Sequence, residues 1–245
     1  MFARPGGIMS PSSPWLPSDL PGLKLWLAGN RSPFTLNSGN VSQWNDISGG
    51  SNHATQGTAS LQPAYVSSGI NGIPGVLSDE TDDLLETTAA FNSDNIFAST
   101  QKTIFVVYKS GGSAVSNKRI AIGPTSGDSS VWGHFIAVSN AINWKYRTAV
   151  PATATLVGPT MDTDATYVLA FRHDNSSVKG YANSLTAAAS ASDGQTSGET
   201  STAKFNINFK TGGTVAEVIV CSALTDAQLA QTMNYLANKY GVTLS

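Results

Sequence analysis

Apolar residues fall in short runs separated by turn-forming clusters, and the period within each run predicts its geometry. The segment "GLKLWLAG" places Leu23, Leu25 and Leu27 on one face and Lys24 and Trp26 on the other, the two-residue alternation of a half-buried strand. "KTIFVVYKS", residues 102 to 110, is apolar on both faces and rich in β-branched and aromatic side chains, which predicts a central strand covered on two sides. The same reading marks "RIAIG", "HFIAVS", "AINWKYRT", "TYVLAFRH", "SVKGYAN", "KFNINF" and "TVAEVIVCS" as strands. Many short strands at this spacing predict a sandwich or barrel, and no fixed-period repeat points to a solenoid or propeller. The Ser/Thr/Gly stretch "ASASDGQTSGETST", residues 189 to 202, reads as an exposed loop, because strand patterns resume directly after it.

One segment has helical rather than strand periodicity. In "LTDAQLAQTMNYLANKYG", Thr225 is a good N-cap, Gln228 completes a capping box, and Leu224 can staple onto Leu229. Leu229, Met233, Leu236 and Tyr240 then form one apolar stripe, Lys239 complements the C-terminal dipole, and Gly241 supplies the stop. A helix over about 225–240, packed by its stripe against the sandwich, is predicted.

Composition supports this picture and removes several function classes. The 245 residues suit one domain with a sizeable core, and Ser, Thr, Asn, Gly and Ala dominate. Lys and Arg together number 14 against 16 Asp and Glu, with no basic cluster, so the electrostatic footprint of a nucleic-acid binder is missing. No run of about 18 apolar residues suggests a membrane helix, and no apolar stretch behind Arg4 suggests a secretory signal. The single Cys221 sits in an apolar run and reads as a buried small hydrophobe.

Five of the 11 prolines lie within the first 21 residues, which predicts an extended N-terminal arm over 1–21 ahead of a domain over 22–245. Phe2, Arg4, Ile8, Trp15 and Leu16 on this arm are candidate partner-binding residues, since its apolar side chains gain by ordering against a neighbouring subunit.

The segments "GLKLWLAGN", "VSQWNDISGGSNHATQ", "INGIPGVLSDETDDLLE", "SVKGYANSL" and "TVAEVIVCSALTDAQLAQTMNYLANKYG" occur in that order. Together they resemble the laminin-G-like, concanavalin-A-like jelly-roll domains found in bacteriophage virion proteins and some bacterial surface proteins, over about residues 20 to 244. The resemblance implies an all-β jelly-roll sandwich of two antiparallel sheets, with one C-terminal α-helix laid across an end or edge. Where relatives of this kind carry an acidic residue after "LWL", this chain has Ala28 and Gly29.

Candidate chemistry is sparse. Asp46, Ser48, Gly49 and Gly50 suit an Asx-type turn anchored by Trp44. His53 follows with no second His or Cys at ligand spacing, so no zinc site is expected. "SDETDDLLE" is the densest acidic run. The resemblance makes it a hairpin turn leading into a strand, and it lacks calcium-ligand spacing. Asp162 and Asp164 read as a turn before the strand at Tyr167. The paired carboxylates of a glycoside hydrolase and a nucleophile elbow are both absent, and no cofactor is expected; calcium is unsupported.

These readings predict a non-enzymatic protein. The first expectation is a homo-oligomeric capsid decoration, or cement, protein that binds a major capsid or other virion protein and resides in the virion, with no nucleic-acid or membrane partner. The alternative is a carbohydrate-binding, lectin-like module of a tail or receptor-binding protein, with Trp132, Trp144 and Tyr146 as the aromatics that would stack on sugar rings.

Overall fold

A computed structural model describes residues 14–79, 81–87, 101–111, 120–124, 134–138, 141–147, 153–192, 205–209 and 212–245. The strands are β1 (Leu23–Ala28), β2 (Phe34–Asn37), β3 (Asn40–Trp44), β4 (Ala54–Thr55), β5 (Ala64–Ile70), β6 (Ile73–Leu77), β7 (Asp83–Thr87), β8 (Gln101–Ser110), β9 (Ile120–Pro124), β10 (His134–Val138), β11 (Ala141–Arg147), β12 (Thr153–Thr160), β13 (Thr166–Asp174), β14 (Ser177–Ala182), β15 (Ala189–Ser192), β16 (Phe205–Phe209) and β17 (Gly213–Ser222). Among the described residues one α-helix, α1 (Asp226–Tyr240), follows them.

All the pairings are antiparallel. The main layer runs β15-β14-β13-β8-β17, and β17 pairs with β6 through its first residues and with β1 through the rest. From β6 the hydrogen-bonded path continues through β5, β3, β4, β7, β16 and β9, while β10-β11-β12 form a separate ribbon.

Side-chain alternation sorts the main layer into two buried faces. Ile104, Val106 and Tyr108 of β8 join Leu169 and Phe171 of β13 in the core between the sheets, with Trp44, Leu85, Trp144 and Phe205. Phe105 and Val107, together with Val168 and Ala170, face the other way and meet α1 through Leu229, Met233, Leu236 and Tyr240. β8 is therefore a central strand covered on both sides, as its sequence predicts.

The helix corrects two expectations. It lies on the outer face of the main sheet rather than across an end or edge, because the second face of β8, β13 and β17 is apolar and needs cover. Beneath it Trp26 is only 3 % exposed, so β1 is buried on both faces rather than half-buried. Burying Leu229, Met233 and Leu236 is worth roughly 1.5–3 kcal/mol each. The caps form as predicted: Gln228 N–H donates to Thr225 Oγ1 at 3.3 Å, Thr225 N–H donates to Gln228 Oε1 at 3.0 Å, and Gly241 takes φ +69°.

A bulge in β17 aims a charge at this helix. Val215 pairs with Tyr108 and Glu217 with Val107, so one residue on β8 spans two on β17. Glu217 thereby shares the helix-facing side of Val107. The bulge decides which layer receives the carboxylate.

Two more expectations change. The acidic run is not a hairpin turn, since β6 pairs with β5 and β17 whereas β7 pairs with β4 and β16; it is a crossing between separate parts of the sandwich. The polar stretch begins as a strand, with Ala189–Ser192 pairing with β14 at an edge where alternate residues meet water.

Candidate functional site

The "QWNDISGG" loop of β3 is structural. Asp46 Oδ1 accepts from Trp26 N–H and Ser48 N–H, each at 2.9 Å, and Oδ2 accepts from Asn52 N–H at 2.9 Å and Ser48 Oγ–H at 2.8 Å. His53 Nδ1 accepts from Asp46 N–H at 3.0 Å. One carboxylate thus ties the turn to β1, and both of its oxygens are used in doing so.

The acidic crossing also turns inward. Asp83 is 2 % exposed, accepts from Asp79 N–H at 2.7 Å, and has its carboxyl pKa raised, first by burial and also by the charges of Asp79 and Asp82. Among the described residues, no group of three or more His, Cys, Asp or Glu could hold a metal. Burial likewise pushes the Cys221 thiol up.

A shallow, open cleft of about 530 Å³ lies beside β1, β2 and β5. Its aromatic wall is a ladder rising from the core. Trp44 is fully buried, Phe34 stacks on it at 5.2 Å between ring centroids, and Tyr65 meets Phe34 edge-on at 5.1 Å. Phe34 and Tyr65 are half-buried, and Leu36, two residues along the same hairpin face, is 46 % exposed. That hairpin is set by a two-residue turn with positive φ at Ser38 and Gly39.

The polar wall is the loop after β1. Arg31 and Ser32 N–H both donate to Ala28 O, and Ser32 Oγ accepts from Ala28 N–H at 2.8 Å. A Cβ at Gly29 would lie 1.7 Å from Pro74 O, so the backbone passes where only glycine fits. This is also why no acidic residue stands here: Ala28 is fully buried and Gly29 has no room for a side chain. The loop presents Asn30 and Arg31, both exposed, to the cleft. The Arg31 guanidinium sits 5.9 Å from the Trp26 ring centroid, and its charge acts to lower the Tyr235 pKa. Burial, then the charge of Glu217, pushes Tyr235 up to about 12.

The residues singled out in the sequence lie elsewhere. Trp144 is fully buried and Tyr146 is 4 % exposed, both in the core between the sheets, so neither offers a ring face to a sugar. A Cβ at Gly180 would fall 2.3 Å from the Trp144 indole and one at Gly158 2.4 Å from it, because β12 and β14 close over the ring. Trp132, Phe2, Arg4 and Ile8 lie outside the described residues. Trp15 and Leu16 pack on the domain's own helix layer, with Trp15 edge-on to Tyr235 at 5.6 Å. Both side chains thus gain apolar cover from α1 of their own domain.

Sequence reasoning missed Phe34, Tyr65 and Arg31. The available signal was the Ser-Gly turn between "PFTLN" and "NVSQW", which marks a hairpin with Phe34 and Leu36 on one face.

No family profile matches the sequence, and no characterised protein matches it by sequence. By fold it is similar to the binding domain of Paraclostridial mosquitocidal protein 1, with a TM-score of 0.68 and 10 % identity over 91 % of this chain and 54 % of that one. It is also similar to the receptor-binding domain of botulinum neurotoxin D, with a TM-score of 0.65 and 9 % identity over 90 % of this chain and 54 % of that one. Trypanosoma rangeli sialidase matches with a TM-score of 0.61 and 13 % identity over 89 % of this chain and 33 % of that one. The chain thus spans about half of the toxin domains and a third of the sialidase. These likenesses show the fold, a β-sandwich.

Proposed function

We propose that the chain is a non-catalytic recognition module and that the cleft of Phe34, Tyr65 and Arg31 holds a saccharide. The observation that carries this reading is the aromatic ladder ending in half-buried Tyr65 beside a polar loop. A flat apolar ring face next to hydrogen-bond donors suits a pyranose, which has an apolar face and a polar rim. Likeness to two toxin binding domains supports a binding role for this sandwich, while the site itself supplies the argument for a sugar.

Virion placement, a major capsid protein partner and homo-oligomeric decoration rest on the sequence resemblance and the arm. Trp15 and Leu16 pack back on their own domain, which favours the recognition module over the shell clamp.

The test is titration of the full chain against a panel of immobilised oligosaccharides, with Tyr65→Ala and Trp144→Phe as paired variants. The expected result is a saccharide whose affinity falls about tenfold or more in Tyr65→Ala and is unchanged in folded Trp144→Phe. A panel without a binder, or binding indifferent to Tyr65, would overturn the reading.

A further inference from the structure

We infer that the saccharide held by this cleft is anionic, bearing a carboxylate or sulfate that Arg31 recognises. This rests on the reading of the cleft as a saccharide site and adds the charge of the ligand. Among the described residues, Arg31 is the one charged side chain lining the cleft, and no acidic side chain lines it. Among the described residues no carboxylate forms an ion pair with Arg31. The nearby acid, Glu217, is fully buried and already bonded to Lys239 Nζ at 2.6 Å.

Arg31 is nevertheless positioned. Its guanidinium rests over Trp26, 5.9 Å from the ring centroid, a contact that places the side chain and leaves the N–H groups of the planar fork for a ligand. A guanidinium with no counter-ion among the described residues, lining an aromatic cleft, complements an oxyanion on a sugar ring. Asn30 and the Tyr65 hydroxyl add uncharged polar groups. The protein as a whole carries a net charge of −2, so the attraction is local to this loop.

The experiment measures binding of the full chain to an oligogalacturonate, a heparin-type sulfated oligosaccharide and a neutral oligogalactoside of equal length, at low and at physiological ionic strength. At least one anionic ligand is expected to bind about tenfold or more tighter than the neutral one, with the margin narrowing in salt. Which one binds distinguishes carboxylate from sulfate. Arg31→Gln should abolish the preference while leaving residual neutral binding, and Arg31→Lys should retain part of it. Circular dichroism confirms that each variant is folded, and Arg31→Lys keeps the test decisive if Arg31→Gln unfolds. Equal binding of neutral and anionic sugars with Tyr65 dependence would overturn the anionic assignment and leave the saccharide site standing. A preference that survives in Arg31→Gln would also overturn it. Absence of any saccharide binding would overturn both.

Discussion

Trp26 Nε1–H donates to Glu217 Oε1 at 2.7 Å, joining β1 to β17 beneath the helix. The other carboxylate oxygen accepts from Lys239 Nζ at 2.6 Å and Tyr240 Oη–H at 2.8 Å, so one fully buried acid fastens α1 to the sheet. Removing the acid strands a lysine whose side chain is 10 % exposed, whose pKa burial lowers and Glu217 raises. Glu217→Ala should therefore cost about 3–5 kcal/mol, whereas Glu217→Leu combined with Lys239→Met should cost much less, because no buried charge is left behind. Urea unfolding of the two variants checks this, and a loss under about 1 kcal/mol in Glu217→Ala would show that the clamp adds little.

Gly180 and Gly158 flank Trp144 at distances that admit no Cβ. Gly180→Ala should lower stability by about 1–3 kcal/mol through overpacking, and Trp144→Ala by about 3–5 kcal/mol through the cavity it leaves. Neither should alter the saccharide affinity of the folded fraction. A Trp144→Ala protein that unfolds at the wild-type midpoint would contradict the core placement.

The elements legible in the sequence were those whose signals are local. Thr225 and Gln228, the 229/233/236/240 stripe and the two-faced run at 102–110 each specify an element without knowledge of its neighbours. What covers an element was not legible. Lys24 and Trp26 alternate with leucines as in a half-buried strand, yet Trp26 is buried in a cluster with Leu229, Met233 and Leu236 of a helix about two hundred residues away. The bulge at Ala216 was equally hidden, because the run carries no Gly or Pro there to mark it. Aromatic content misled the search for a site, since ring size favours burial for Trp144 as much as stacking. Phe34 and Tyr65 meet only through the pairing of β2 and β5 with β3, which no spacing between residues 34 and 65 encodes.

Asp46 gives a prediction that separates a turn from a ligand site. Its carboxylate accepts from three backbone N–H groups and one hydroxyl, spanning β1 and the loop, and is 7 % exposed. Asp46→Ala should destabilise the protein by about 2–3 kcal/mol, as expected when buried donors lose a charged acceptor. His53→Ala, which removes one acceptor from Asp46 N–H, should cost about 1 kcal/mol. Thermal unfolding with and without a chelator should superimpose for wild type and both variants. A chelator-dependent shift lost in His53→Ala would instead make the loop a metal site.

Lys102 supplies a pH dependence with a definite sign. It is fully buried on the core-facing side of β8, in register with His173 of β13, and burial pushes its pKa down to about 7 from 10.5. Between those values the unfolded chain holds a proton that the folded chain lacks, so stability rises with pH across the interval and is flat, for this group, below about 7. The slope is at most about 1.4 kcal/mol per pH unit. Above pH 9 the Cys221 thiol acts with the opposite sign, since its folded pKa is raised from 9.0 and the unfolded thiol ionises first. Comparing wild type with Lys102→Met by urea unfolding between pH 6 and about 9 isolates the lysine, because the thiol contributes equally to both. Relative to Lys102→Met, wild type should gain roughly 2–3 kcal/mol of stability between pH 7 and pH 9. A difference that stays constant with pH would mean that Lys102 remains charged when folded and that its surroundings compensate the burial of that charge.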